Sequence, residues 1–168
     1  MKIFDASYFD NLTVQARDNW RQRQHRNIHQ SYQEPCQRLF NAIEPSSYIR
    51  PHRHATEPSD ELLIAIRGAM SLVTFNDLGS VIDVLDFGVY SKLNLMAVGV
   101  EIPANIWHTV LAHESGSVLL EVKKGPFNPS APKDLALWAP VEGSALASEY
   151  LDVLLKLTRS NYSSRVIL

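Results

Sequence analysis

The stretch Tyr48-Ile49-Arg50-Pro51-His52-Arg53-His54, continued at Asp60-Glu61 and closed by Gly68, decides how the rest of the chain is read. His52 and His54 stand two residues apart, and on a strand such residues point to the same face. Six residues separate His54 from Glu61, and six more separate Glu61 from Gly68. Two imidazoles and a carboxylate aimed at one point suit a divalent transition metal. By the same alternation Tyr48 and Arg50 share the face of the two histidines, so both are expected on the wall of a ligand pocket. A guanidinium there suits an anionic or polyhydroxylated ligand, with an ion pair at the barrel rim as the competing reading.

Outward from this stretch the chain reads as short strands with turn punctuation. Strands are expected over 37–43, 48–54, 61–67, 70–75, 80–85, 93–102, 107–112 and 118–123. Glu44-Pro45-Ser46-Ser47 closes the first, and Asn76-Asp77-Leu78-Gly79 makes a hairpin turn. Close spacing without intervening helices argues a mainly β, antiparallel sandwich or barrel. Before the strands, Leu12, Ala16 and Trp20 recur at helical spacing, capped by Asp10 or Asn11 and ending near Gln24. The basic run Arg17, Arg21, Arg23, His25, Arg26 and His29 reads first as a solvated face and second as an anion-binding patch. After Gly125 comes a proline-marked loop, then a helix from Gly143-Ser144 with an apolar stripe of Leu146, Tyr150, Leu154 and Leu157. One domain over 1–168 is expected: a helical segment 1–34, a β core 35–125, and a loop and helix 126–168.

The 168 residues carry 45% hydrophobic and 20% charged side chains, as a soluble globular protein does. A formal charge of −2 gives no general attraction to nucleic acid or an anionic membrane. Cys36 is the one cysteine, which excludes an intrachain disulfide and a thiolate cluster and reads most simply as a small buried residue. Met1-Lys2-Ile3-Phe4-Asp5 lacks the apolar run of a signal peptide, and a cytoplasmic location is expected.

A fourth ligand is expected from Gly99-Val100-Glu101-Ile102-Pro103-Ala104-Asn105-Ile106-Trp107-His108, where a strand ends, a tight turn follows and His108 opens the next strand. The candidate set is then His52, His54, Glu61 and His108. Glu57 competes with Glu61, but a strand holds a ligand better than a loop does. His113 has odd parity relative to His108 and is left out. Glu121 and Lys123 alternate together on a strand whose inner face the sequence does not reveal. One divalent ion is implied, and zinc, iron, manganese, nickel and cobalt all stay open.

The pattern His-x-His, Glu, Gly and then Pro103 to His108 resembles the two cupin motifs. That resemblance implies a small antiparallel jelly-roll barrel with His52, His54, Glu61 and His108 holding one metal in its mouth. The runs 37–42, 48–54, 60–63, 102–108, 121–126 and 138–140 resemble the WbuC family of cupin-fold metalloproteins, associated with bacterial surface-polysaccharide (O-antigen) gene clusters. Two departures from the general motifs stand out: a longer His54–Glu61 gap, and Asn105 where glycine is usual. The leading expectation is metal-assisted isomerisation or epimerisation of a small polar molecule, a sugar or sugar nucleotide. An iron-dependent dioxygenase and a non-catalytic sugar-binding or sensing cupin are the alternatives, and the small barrel with an apolar closing helix suggests a homodimer.

Overall fold

The computed structural model describes residues 1–55, 58–89, 97–130 and 133–165, with side chains described as far as residue 158. Two antiparallel five-stranded sheets face each other. The first holds, in spatial order, β1 (Arg23–Asn27), β2 (Cys36–Ile43), β9 (Ser117–Lys124), β4 (Glu61–Arg67) and β7 (Gly99–Ile102). The second holds β10 (Asp134–Leu135), β3 (His52–Arg53), β8 (Trp107–Ala112), β5 (Ala69–Phe75) and β6 (Val81–Gly88). Helices α1 (Ala6–Asp18) and α2 (Ala145–Arg165) flank them. This is the mainly β jelly-roll, or cupin, barrel that the strand spacing and motifs predict, with a helix at each end of the chain.

Side-chain alternation sorts the strands into an inner and an outer face. Inside, Ile43, Leu63, Met70, Leu72, Phe87, Ile102, Val110 and Leu119 pack into one core between the sheets. Outside the first sheet, Phe9, Leu12 and Ala16 of α1 cover Phe40, Ala42 and Val118. Outside the second, Ala147, Leu151 and Leu154 of α2 cover Val73, Phe75, Val84 and Leu111. Each sheet thus buries both of its faces over much of its area, which is why β5 is buried at six of its seven positions rather than alternating.

The turn from β4 to β5 depends on Gly68, whose φ is +73° and whose missing Cβ lets Ser117 pack directly against the backbone. Strand β4 pairs with β7 and β9, so Gly68 closes the hairpin-like corner where the chain leaves the first sheet for the second.

Several expectations are corrected. Helix α1 begins after Asp5, whose carboxylate accepts from the Tyr8 N–H, and ends at Asp18 rather than near Gln24. Its buried face is Phe9, Leu12, Thr13 and Ala16, while Trp20 is 72% exposed. The basic run beyond it is not a helix end but strand β1, paired with β2 from Arg23↔Ile43 to Asn27↔Leu39. Backbone pairing with a waiting sheet edge outweighs the helical spacing of three residues. In α2 the buried stripe is Ala147, Leu151, Leu154 and Thr158, whereas Leu146 is 62% exposed. Cys36 is exposed at the start of β2. The expected strand 48–54 is regular only at His52–Arg53, and residues 93–96 of the expected strand 93–102 lie outside the described residues, as does Glu57.

Candidate metal centre and ligand cavity

Three strands, β3, β4 and β8, bring the candidate ligands together, and the core parity decides which side chains enter. In β8, His108 has the parity of the core residues Val110 and Ala112, so it points inward. Strand β3 pairs with β8 at His52↔His108, which sets these two imidazoles side by side with ring centroids 4.5 Å apart. In β4, Glu61 has the parity of Leu63 and Ala65 and also points inward. The turn before β8 is held by Asn105 at φ 67° and by the Ala104 N–H, which donates to Asp60 Oδ1 at 2.9 Å. Asparagine tolerates this left-handed conformation better than most residues do, so the turn survives without glycine. The Asp60 bond ties the turn that carries His108 to the strand that carries Glu61.

His52, Glu61 and His108 are buried, and a ligand atom from each lies within 4.8 Å of the others. His54 is joined to them through Glu61, its Nε2 2.9 Å from Glu61 Oε1. Glu61 Oε2 lies 3.3 Å from His108 Nε2. The Nδ1 of His52 lies 3.1 Å from the Arg50 carbonyl, and that of His108 lies 2.8 Å from the Ile106 carbonyl. A carbonyl only accepts, so each Nδ1–H donates and each neutral ring is left with a lone pair on Nε2. Lone pairs and a carboxylate turned toward one point form a set of acceptors that a cation must reconcile. Burial and the nearby charge of Lys133 hold the His52 pKa well below its usual value, which favours the neutral imidazole that binds metal. Burial alone would raise the Glu61 pKa, but its close contacts with His108 and His54 and the Lys123 charge outweigh it and hold it well below the usual carboxylate value. The residues present therefore fit a divalent ion on the chemistry of the donor set, with backbone carbonyls supplying the outer partners that orient metal-binding histidines.

These side chains stand on the wall of a cavity of about 490 Å³. The same parity puts Glu121 and Lys123 of β9 inside, in line with Leu119, and Asn41 of β2 in line with Ile43. Lys123 bridges Glu121 at 2.8 Å and Glu61 at 3.1 Å. Burial disfavours its charge, yet the two carboxylates prevail and its pKa lies above the usual lysine value. Arg23 and His25 of β1 also line the cavity, with Phe127 and Lys133 from the loop after β9. Arg23 is anchored by Glu142 at 2.6 Å and by the Tyr48 carbonyl at 2.9 Å.

The structure places Tyr48 and Arg50 elsewhere than on the cavity wall. Tyr48 is buried against α2 with Val73 and Leu151, and its hydroxyl donates to the Pro140 carbonyl at 3.0 Å. Arg50 donates from Nε and Nη2 to the Ala136 carbonyl, the former at 2.9 Å. The alternation argument fails because residues 48–51 are not regular strand. His113 also faces away from the ligands, its Nε2 2.6 Å from the Ser71 hydroxyl. The missed cavity residues Arg23 and His25 carried a signal, two polar side chains two apart in a basic run, but only the pairing with β2 gives that spacing a face.

Residues 4–87, half of the chain, match the family model described as a domain of unknown function, DUF6016. The chain belongs to this family. The matched span runs from α1 to β6 and contains His52, His54 and Glu61, while His108 lies beyond it. No curated protein sequence matches. Among solved structures, protein SO0799 from Shewanella oneidensis is similar at 8% identity, over 66% of this chain and 72% of that one, with a TM-score of 0.53. At that identity the likeness concerns the fold. A variant of Bacillus subtilis oxalate decarboxylase OxdC matches at 16% identity over 61% of this chain and 24% of that one, with a TM-score of 0.46. This chain thus spans about a quarter of the length of that decarboxylase. KdgF from a Halomonas species matches at 15% identity over 64% of this chain and 82% of that one, also at 0.46. No helix among the described residues is long and apolar enough to cross a membrane.

Proposed function

We propose that this chain is a metal-dependent cupin enzyme acting on a small polar molecule, a sugar or sugar nucleotide, by metal-assisted isomerisation or epimerisation. The support is the convergence of His52, Glu61 and His108, from both sheets, on one point of a cavity, with both imidazoles turned by backbone carbonyls to offer Nε2. His52, His54, Glu61 and His108 would hold a divalent ion, which would supply Lewis-acid polarisation of a carbonyl or hydroxyl oxygen. Glu121 is the cavity carboxylate outside that set, and it takes a proton from the carbon beside the polarised group and returns it in the isomer. Lys123, kept protonated between Glu121 and Glu61, orients both carboxylates and donates to a substrate oxygen. No electron leaves the substrate in this step, so no oxidant is required. The motif likeness to the WbuC family favours a sugar substrate and a place in surface-polysaccharide synthesis.

The test is elemental analysis of protein purified without added metal, followed by a turnover screen of sugar nucleotides on wild type and His52→Ala. Zinc or manganese, with turnover lost in the variant, is the expected result. Iron with oxygen uptake replaces the isomerase by a dioxygenase. Turnover that survives in His52→Ala while thermal stability falls makes the metal structural. A metal-free protein with an unchanged melting temperature and unchanged ligand binding ends the metal reading.

A further inference from the structure

The charges that line the cavity do not balance. Arg21, Arg23, Lys123 and Lys133 face two carboxylates, Glu61 and Glu121. Arg21 and Arg23 are both answered from outside the lining by Glu142, at 2.7 and 2.6 Å. Lys123 is answered by Glu121 and Glu61. Lys133 has no ion pair and no hydrogen bond with any described residue. It directly precedes β10, where Asp134 and Leu135 pair with Arg53 and His52, so strand pairing brings it alongside the strand that carries the candidate metal ligands. Its side chain is exposed to solvent where it lines the cavity. A second unanswered group lines the cavity from the facing sheet. Asn41 Oδ1 is buried and has no hydrogen-bond partner, and Asn41 pairs across β1 with His25, another lining residue.

We infer that the cavity binds a polyhydroxylated ligand carrying one acidic group, a sugar acid or a sugar phosphate, with Lys133 holding the carboxylate or phosphate and Asn41 accepting from a hydroxyl. An ammonium left without a counter-ion in a cavity is compensated when a carboxylate or phosphate enters, and a charge-assisted hydrogen bond there outweighs a neutral one. A bound divalent ion adds positive charge beside Lys133 and strengthens the preference for an anion. The inference rests on the ligand cavity of the proposed function and names what enters it.

The experiment is calorimetric titration of the full chain, manganese-loaded and chelator-stripped, with glucose, glucuronate and glucose 6-phosphate. Wild type is expected to bind one of the two acidic probes about tenfold or more tightly than glucose. The tighter of the two tells a carboxylate from a phosphate ligand. In Lys133→Met the preference falls to within about twofold, and Lys133→Arg retains it, with Lys133→Met melting where wild type does. The inference is overturned if Lys133→Met keeps the preference, or if wild type binds neither acidic probe more tightly than glucose. The stripped protein separates the two readings. An acidic preference that depends on Lys133 while His52→Ala leaves turnover intact keeps this inference and ends the metal mechanism. Metal-dependent turnover with no acidic preference does the reverse.

Discussion

At the scale of single residues, the site turns on which atom of each histidine faces the centre. The Arg50 and Ile106 carbonyls take Nδ1 of His52 and His108, which leaves Nε2 as the inward ligand. Replacing His108 with Ala is expected to lower metal affinity at least about tenfold, read as metal content after dialysis. Asn105 sets the entry of that strand from a φ of 67°. Asn105→Gly keeps both stability and metal affinity, whereas Asn105→Val loses about 1–2 kcal/mol in a denaturant titration, because a β-branched residue resists the left-handed region. An unchanged midpoint in Asn105→Val would show that the turn does not hold this conformation in solution. The candidate set was legible in advance, and the structure brings its His52, Glu61 and His108 within 4.8 Å of one another. The spacing of His52, His54, Glu61 and His108 marked a donor set before any distance was known, whereas the facing of Tyr48 and Arg50 was not legible, because alternation says nothing where the backbone is irregular.

At the scale of elements, two contacts carry testable weight. Gly68 joins β4 to β5 at positive φ with Ser117 pressed against it. Gly68→Ala adds both a strained conformation and a collision, and is expected to destabilise by about 2 kcal/mol or more. Helix α2 buries Leu154, 2% exposed, against the outer face of the second sheet. Leu154→Ala is expected to cost about 2–4 kcal/mol in thermal or chemical unfolding at every protein concentration. The exposed Leu146 predicts a different outcome, little change on Leu146→Ala. Equal losses in the two variants would mean that the helix docks through the stripe of Leu146, Tyr150, Leu154 and Leu157 that the sequence suggested instead. The existence of α2 and its start at Ala145 were readable from Gly143-Ser144, but two overlapping apolar stripes on one helix left its facing undecided.

At the scale of the whole molecule, Glu142 connects the loop before α2 to the start of β1. It accepts from Arg21 at 2.7 Å and pairs with Arg23 at 2.6 Å, and Arg23 in turn holds the Tyr48 carbonyl and lines the cavity. Burial pushes the Glu142 pKa up, but the bond from Arg21 and the charges of Arg23 and Arg21 outweigh it and bring the pKa below the usual 4.5. A carboxyl with a depressed folded pKa stabilises above its unfolded value, and that contribution is lost as pH falls through the folded one. Wild type is therefore expected to lose stability below about pH 4.5 more steeply than Glu142→Gln, which starts about 1 kcal/mol lower at pH 7 because its arginines are partly solvated. Parallel acid limbs for the two proteins count against this link.

The sequence alone determined a mainly β antiparallel barrel, a helix at each end, and four candidate ligands, since strand spacing, turn residues and His-x-His parity are local properties that survive without a partner strand. Only the tertiary structure decided what else faces those ligands. The basic segment became β1 because a free edge of β2 awaited it, and that pairing sent Arg23 and His25 inward. The inner face of β9 was fixed by Leu119 joining the core, which turned Glu121 and Lys123 to the cavity. Lys133 reached the site through two residues of strand beside His52, a contact spanning some eighty positions that no local pattern encodes.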